Sequence, residues 1–170
     1  VFGKKNQKEI LKALKLCNAI NVLAFGIPFV HMGQEVGLSK RYLTNTYNTN
    51  DLDNQYNFET LINRKEQFNY MCDVIALRKK YNIFRLNDYQ KIDEIIRFER
   101  IGDLGIRIIY KLENNKELSL LINTNSKENL YYTFNETHKV IFNEVGLVHL
   151  PVLVDSIIIA PLNMVVVVND

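Results

Sequence analysis

From Gln7 to Ala24, apolar residues recur at three- and four-residue steps: Ile10, Leu11, Leu14, Cys17, Ile20 and Leu23 or Ala24. Lys8, Glu9, Lys12 and Lys15 lie between them. That period gives a helix with one apolar face. Ile27 to Met32 is a short apolar run, opened by Gly26 and Pro28, that leads into the polar turn Gly33-Gln34-Glu35. It reads as a buried strand, because a Pro at the start of a strand need not supply an N–H to the ladder. Gly33 to Asn57 is polar and has little periodicity, and connections of that length are usually functional or disordered. A second helix is expected from about Arg64 to Lys80, with Phe68, Met71, Cys72, Ile75 and Ala76 on its buried face. Asn63 and Glu66 have the spacing of a capping box, and Arg78, Lys79 and Lys80 sit where a helix dipole favours cations.

After Arg85 the period changes to two. Ile106, Ile108, Tyr110 and Leu112 alternate with Arg107, Ile109 and Lys111, and Leu118, Leu120 and Ile122 do the same beyond the Glu113 to Lys116 turn, which is the mark of a hairpin. Further strands are expected at Glu94 to Arg100, Leu130 to Phe134, Lys139 to Asn143, Ser156 to Ala160 and Met164 to Val168, making an antiparallel β-sandwich. The boundary falls near Leu86 to Lys91, dividing the chain into 1–86 and 87–170.

The order helix, strand, loop, helix in the first part is one unit of an α/β barrel, whereas a complete barrel usually takes about 250 residues. With 170 residues beginning at Val1, the chain is expected to be cut from a longer one. A formal net charge of +2 with intermixed signs offers no basic stripe for phosphates, so nucleic acid is not an expected partner. Leu16 to Gly33 is interrupted by Asn18, Asn21, Gly26, Pro28 and His31, so no membrane span is expected. Cys17 and Cys72 lack metal-ligand spacing and read as buried free thiols, an arrangement that suits a reducing, cytoplasmic setting.

The stretch Gly26-Ile27-Pro28-Phe29-Val30-His31-Met32-Gly33-Gln34-Glu35, with Asn45-Thr46-Tyr47-Asn48-Thr49-Asn50-Asp51 through Asn54, closely resembles the end of the catalytic barrel in pullulanase-type enzymes of the α-amylase superfamily. Leu77-Arg78-Lys79-Lys80-Tyr81-Asn82-Ile83-Phe84-Arg85-Leu86 resembles the last barrel helix and the segment leaving it, and Ser156-Ile157-Ile158-Ile159-Ala160-Pro161 resembles part of the C-terminal β-sandwich. The resemblance implies the last helix-strand-helix part of a (β/α)8 TIM barrel followed by that sandwich. It also implies a glycosidase acting on α-1,6-glucosidic branch points of pullulan, glycogen or starch-derived dextrins. Another member of the superfamily, a branching enzyme or an amylase, is the nearest alternative. A rival of another class is a non-catalytic carbohydrate-binding module built on the β-sandwich, with Tyr131, Tyr132 and Phe134 as its aromatic cluster.

Glycoside hydrolysis needs two carboxyl groups, about 5 to 5.5 Å apart in retaining enzymes. In the family these follow earlier barrel strands, so no catalytic residue is expected in this chain, and the chain alone is expected to be inactive. No cofactor or metal ligand is implied. Glu35 reads as the structural corner of the Gly-Gln-Glu turn rather than a catalytic acid, and His31 as a hydrogen-bonded strand-end residue. Tyr47 and Asn48 are the substrate-binding candidates, because an aromatic face and an amide suit a sugar's C–H and O–H groups. The other reading of the pair is an ordinary polar turn. The family pattern is Tyr-Asn-Ser-Pro-Asp followed by Asn; here Thr49 replaces Ser, Asn50 replaces Pro, and Asn57-Phe58 stands where Asp-Trp is usual.

Overall fold

The structure is a computed structural model that describes residues 7–40, 43 and 45–169. The helices come first: α1 (Gln7–Leu23), α2 (Asp51–Asn54), α3 (Phe58–Asn63), α4 (Lys65–Lys80) and α5 (Tyr89–Ile95). The strands follow: β1 (Ile96–Ile101), β2 (Gly105–Lys111), β3 (Glu117–Asn123), β4 (Leu130–Asn143), β5 (Gly146–Ile159) and β6 (Asn163–Asn169). They form one antiparallel sheet in the order β1-β2-β3-β6-β4-β5.

The β2–β3 hairpin forms as the alternation predicts, with Ile108 opposite Leu120. The two strands expected at 130–134 and 139–143 are one strand, β4, broken only by a shift in register. Thr133 pairs with Ser156 and His138 with Val154, so residues 134–137 stand opposite Asp155 alone. A shift of this kind bends the ribbon. The far end of β4 is thereby carried over the face of β1 and β2, where the Tyr132 hydroxyl meets Glu99 at 3.0 Å and accepts from the Arg107 guanidinium at 2.7 Å. The two layers are therefore one folded sheet rather than two separate sheets. Leu121, Phe134, Val140, Ile159, Val165 and Val167 fill the space between them.

The opposite face of the sheet receives the helices. Leu16, Ala19 and Val22 of α1 and Tyr70, Val74 and Leu77 of α4 pack with Phe84 against Tyr110, Leu120, Phe142 and Val166. This corrects the predicted helix faces. The buried side of α1 is Ala13, Leu16, Asn18, Ala19, Val22 and Leu23, while Ile10, Cys17 and Ile20 are exposed. In α4, Gln67, Tyr70, Met71, Val74, Leu77 and Arg78 are buried, and Cys72, Ile75 and Ala76 are not. Both helices are apolar on more than one side, and the sheet takes only one. The two cysteines, expected to be buried, are thus exposed free thiols.

The capping box at Asn63 and Glu66 does not form either. Helix α3 runs through Arg64 directly into α4, so Arg64 supplies the backbone carbonyl for Gln67 and Phe68, and Glu66 pairs with Lys15. Among the described residues, the side-chain caps are Asn57, whose Oδ1 accepts from the Glu59 amide at 2.8 Å, and Asp88, which does the same for Gln90 at 3.1 Å.

Burial raises the pKa of the Tyr70 and Tyr110 phenols, that of Tyr110 to about 12. In the unfolded chain both ionise near pH 10. These are acids whose neutral form the fold protects, so their stability contribution is whole below about pH 10 and is lost as the pH rises towards 12. Urea midpoints are expected to stay level from about pH 8 to 9.5 and to fall steadily above about pH 10. Midpoints that hold across that upper range would show that these phenols ionise freely in the folded state.

Candidate functional site

Residues 27–31 are the largest local departure from expectation: they run without a ladder partner and form no strand. Ile27 is 98% and Phe29 82% exposed. A strand exists only where another strand meets its backbone groups, and none does so here. The segment is nevertheless anchored. The guanidinium of Arg78, itself buried, donates to the carbonyls of Val22 at 2.6 Å, Ala24 at 2.7 Å and Gly26 at 2.5 Å. Asn21 holds the Phe29 carbonyl at 2.8 Å.

The turn at residues 33–37 is a braced corner. Gly33 has φ +85°, and an added Cβ would lie 2.3 Å from Leu38 Cδ1, so glycine is required on both counts. Gln34 Nε2 donates to the buried Asn18 Oδ1 at 2.7 Å, and its Oε1 accepts from the His31 amide at 3.2 Å. Arg64 donates to the carbonyls of Val36 at 2.9 Å and Gly37 at 2.8 Å. His31 is exposed. The Tyr56 phenol is held above its ordinary pKa, first by burial and then by its hydrogen bond to Glu35 and that carboxylate's charge.

Beyond the corner, Arg41, Tyr42 and Thr44 lie outside the described residues of the predicted 33–57 loop. Tyr47 and Asn48 occupy the tip of a turn closed by the Thr49 amide donating to the Thr46 carbonyl at 3.1 Å. Both are exposed, Tyr47 to 84%. Behind them Asn54 bonds to both arms of the turn and to Lys40. A polar hollow of about 330 Å³ is lined by Met32, Leu38, Lys40, Asp53, Gln55 and Asn57 among others, and Lys40 links its wall to Asn54. An exposed aromatic ring, an exposed amide and a hollow rich in hydrogen-bonding groups suit a hydroxylated ligand.

Among the described residues, no group of three or more His, Cys, Asp or Glu could hold a metal ion, and no helix is long and apolar enough to cross a membrane. The aromatic cluster of β4 makes no flat platform. Tyr131 is exposed, whereas Tyr132 is engaged with Arg107 and Glu99 and meets the buried Phe134 edge-on at 5.0 Å. Alternation along a strand puts Tyr131 and Tyr132 on opposite faces.

No family model matches the chain. A pullulanase of Bacillus subtilis (strain 168) is 39% identical over 83 residues, which is 49% of this chain and 12% of that protein. The chain is a relative of the pullulanases. The crystal structure of pullulanase type I from Bacillus subtilis str. 168, complexed with maltose, superimposes on 98% of this chain and 24% of its own, with a TM-score of 0.90 and 21% identity. The pullulanase from Anoxybacillus sp. LM18-11 complexed with maltotetraose gives 98% and 24% coverage, a TM-score of 0.87 and 23% identity. Those likenesses establish the fold, and this chain spans about an eighth of the curated relative's length.

The departures from the pullulanase pattern have local explanations. Asn50, in place of Pro, keeps φ at −70°, close to the value a proline ring imposes. Asn57, in place of Asp, still caps α3 through its side-chain oxygen. Phe58, in place of Trp, is exposed and packs against Tyr56 at 5.0 Å. Sequence reasoning missed Asn18, Asn54, Arg64 and Arg78 as organising residues. Asn18 stood out as a polar residue inside an apolar helix, Asn54 closed the quoted motif and Arg78 lay in the cationic last turn of the second helix, but none of these signals showed the partner each side chain holds.

Proposed function

We propose that the chain is the C-terminal part of a pullulanase-type glycoside hydrolase of the α-amylase superfamily. In this reading residues 1–86 are the last helix-strand-helix part of its (β/α)8 barrel and 87–170 the β-sandwich domain that follows. The whole enzyme hydrolyses α-1,6-glucosidic branch linkages in pullulan, glycogen or starch-derived dextrins. The observation that carries this is the apolar segment 27–31, unpaired and exposed, leading through a braced corner to an exposed Tyr47-Asn48 turn. In a barrel, neighbouring strands would cover that segment, and loops at the strands' C-terminal ends face the substrate. The exposed Ile10, Ile20 and Ile75 supply further apolar surface for the same closure.

The chemistry is then divided along the polypeptide. One carboxylate attacks or stabilises the anomeric carbon and a second carboxyl group protonates the leaving oxygen, both supplied by earlier barrel strands. The present chain contributes substrate positioning through Tyr47 and Asn48, and by itself it does not turn over glucan.

The test is kinetic, in the full-length enzyme. Aromatic stacking is worth roughly 1 to 3 kcal/mol per ring in nucleic-acid complexes, and a sugar contact belongs at the lower end. Tyr47→Ala is therefore expected to lower kcat/KM on branched dextrin about tenfold, with little change in stability. Asn48→Ala should raise KM chiefly, if its hydrogen bonds serve ground and transition states alike. Wild-type kinetics in both folded variants would remove the turn from substrate recognition.

A further inference from the structure

We propose that Asn54 is the positioning residue of the Tyr47-Asn48 turn, an inference that rests on the reading of that turn as glucan-facing. The turn has little packing to hold it, since both of its tip residues are exposed. Its shape is set instead by hydrogen bonds: within the turn the Thr49 amide and hydroxyl donate to the Thr46 carbonyl, and from outside one side-chain amide holds both arms. Asn54 Nδ2 donates to the Thr46 carbonyl at 2.7 Å, before the tip, and to Thr49 Oγ1 at 3.2 Å, after it. Its Oδ1 accepts from Thr46 Oγ1 at 2.7 Å and from Lys40 Nζ at 3.1 Å. Lys40 in turn donates to the Asp53 carbonyl at 2.7 Å, which ties the turn to the segment leaving the corner.

Only a group that donates and accepts in one plane can clamp both arms in this way. An ionised Asp has no donor, and Ser lacks the reach and the second polar atom. A preset ring and amide spare the ligand the entropy of ordering them, which is where such a residue acts on binding. Asn54 serves through Tyr47 and Asn48 and need not touch the sugar itself.

The experiment uses the full-length enzyme and two readouts. Hydrogen exchange at the Thr49 amide reports the turn directly. Asn54→Ala is expected to speed it about tenfold, leaving the α4 amides unchanged, and Thr46→Val, which deletes one of the same hydrogen bonds, to speed it to a smaller degree. In kinetics, Asn54→Ala should raise KM for branched dextrin several-fold with kcat nearly constant. The double variant Tyr47→Ala with Asn54→Ala should lose less than the two single losses combined, the remaining effect of Asn54 passing through Asn48. Unchanged exchange at Thr49, or losses that simply add in the double variant, would overturn the assignment. Accelerated exchange together with wild-type kinetics for Tyr47→Ala would instead count against the functional reading of the turn while supporting the clamp.

Discussion

Arg78→Leu is expected to cost about 2 to 3 kcal/mol of folding stability, a large part of what a domain of this size possesses. The side chain is buried, and its donors go to the carbonyls of Val22, Ala24 and Gly26, so one planar group closes the end of α1 and directs the segment beyond it. The last carbonyls of a helix lack intrahelical partners and lie at the negative end of its dipole, which is why a cation fits there. Burial, and then the nearby charge of Arg85, push the guanidinium below its ordinary pKa. That ordinary value is so high that the group stays charged at neutral pH. Leucine would fill the volume and leave all three carbonyls without their donor. Arg78→Lys should recover only part of the loss, because a compact ammonium cannot reproduce the fork. Urea unfolding of the three proteins checks this, and a loss for Arg78→Leu below about 1 kcal/mol would mean that water replaces the guanidinium without penalty.

Phe142→Ala should have a comparable effect by another route. The ring is fully buried where the helices meet the sheet, edge-on to Tyr70 of α4 at 5.2 Å, with Val166 and Leu147 as its neighbours in register. Truncating such a phenylalanine costs about 3 to 5 kcal/mol through lost transfer energy and the cavity left behind. The aromatic pair contributes about 0.5 to 1.5 kcal/mol of interaction beyond area. Phe142→Leu should lose markedly less, because it retains most of the apolar volume. Thermal and urea unfolding followed in parallel would measure both variants. A small effect for Phe142→Ala would show that the helical layer is seated on the sheet by other contacts.

Much of the candidate site could be read from local sequence, and the way it is held could not. Tyr47 and Asn48 stand out as an aromatic ring and an amide in a polar loop, and the structure places both at an exposed tip. Their support depends on residues far off in sequence or featureless in it. Asn18 reaches Gln34 and Arg64 reaches Val36 and Gly37 across intervening segments, and no local spacing announces such pairs. Asn54 lies closer and closes the quoted motif, yet the motif does not say which hydrogen bonds its side chain makes.

By itself the sequence determined the elements whose periodicity is strong. These are the body of α1, the helix from Lys65 to Lys80, the β2–β3 hairpin and the apolar strand β6, together with the motif likeness that places the chain among relatives of the pullulanases. Tertiary structure decided which side of each helix is buried, because a helix with apolar residues on two sides does not say which one a sheet will cover. It joined the two predicted strands into β4 and extended β5 back to Gly146. There residues 149–153, Pro151 among them, are all exposed, so the stretch shows no alternation of burial to be read, and Pro is tolerated because β5 is an edge strand. It also left residues 27–31 without a ladder. An apolar run specifies a surface to be covered, but only a neighbouring strand that supplies hydrogen bonds and covers both faces turns that run into a strand.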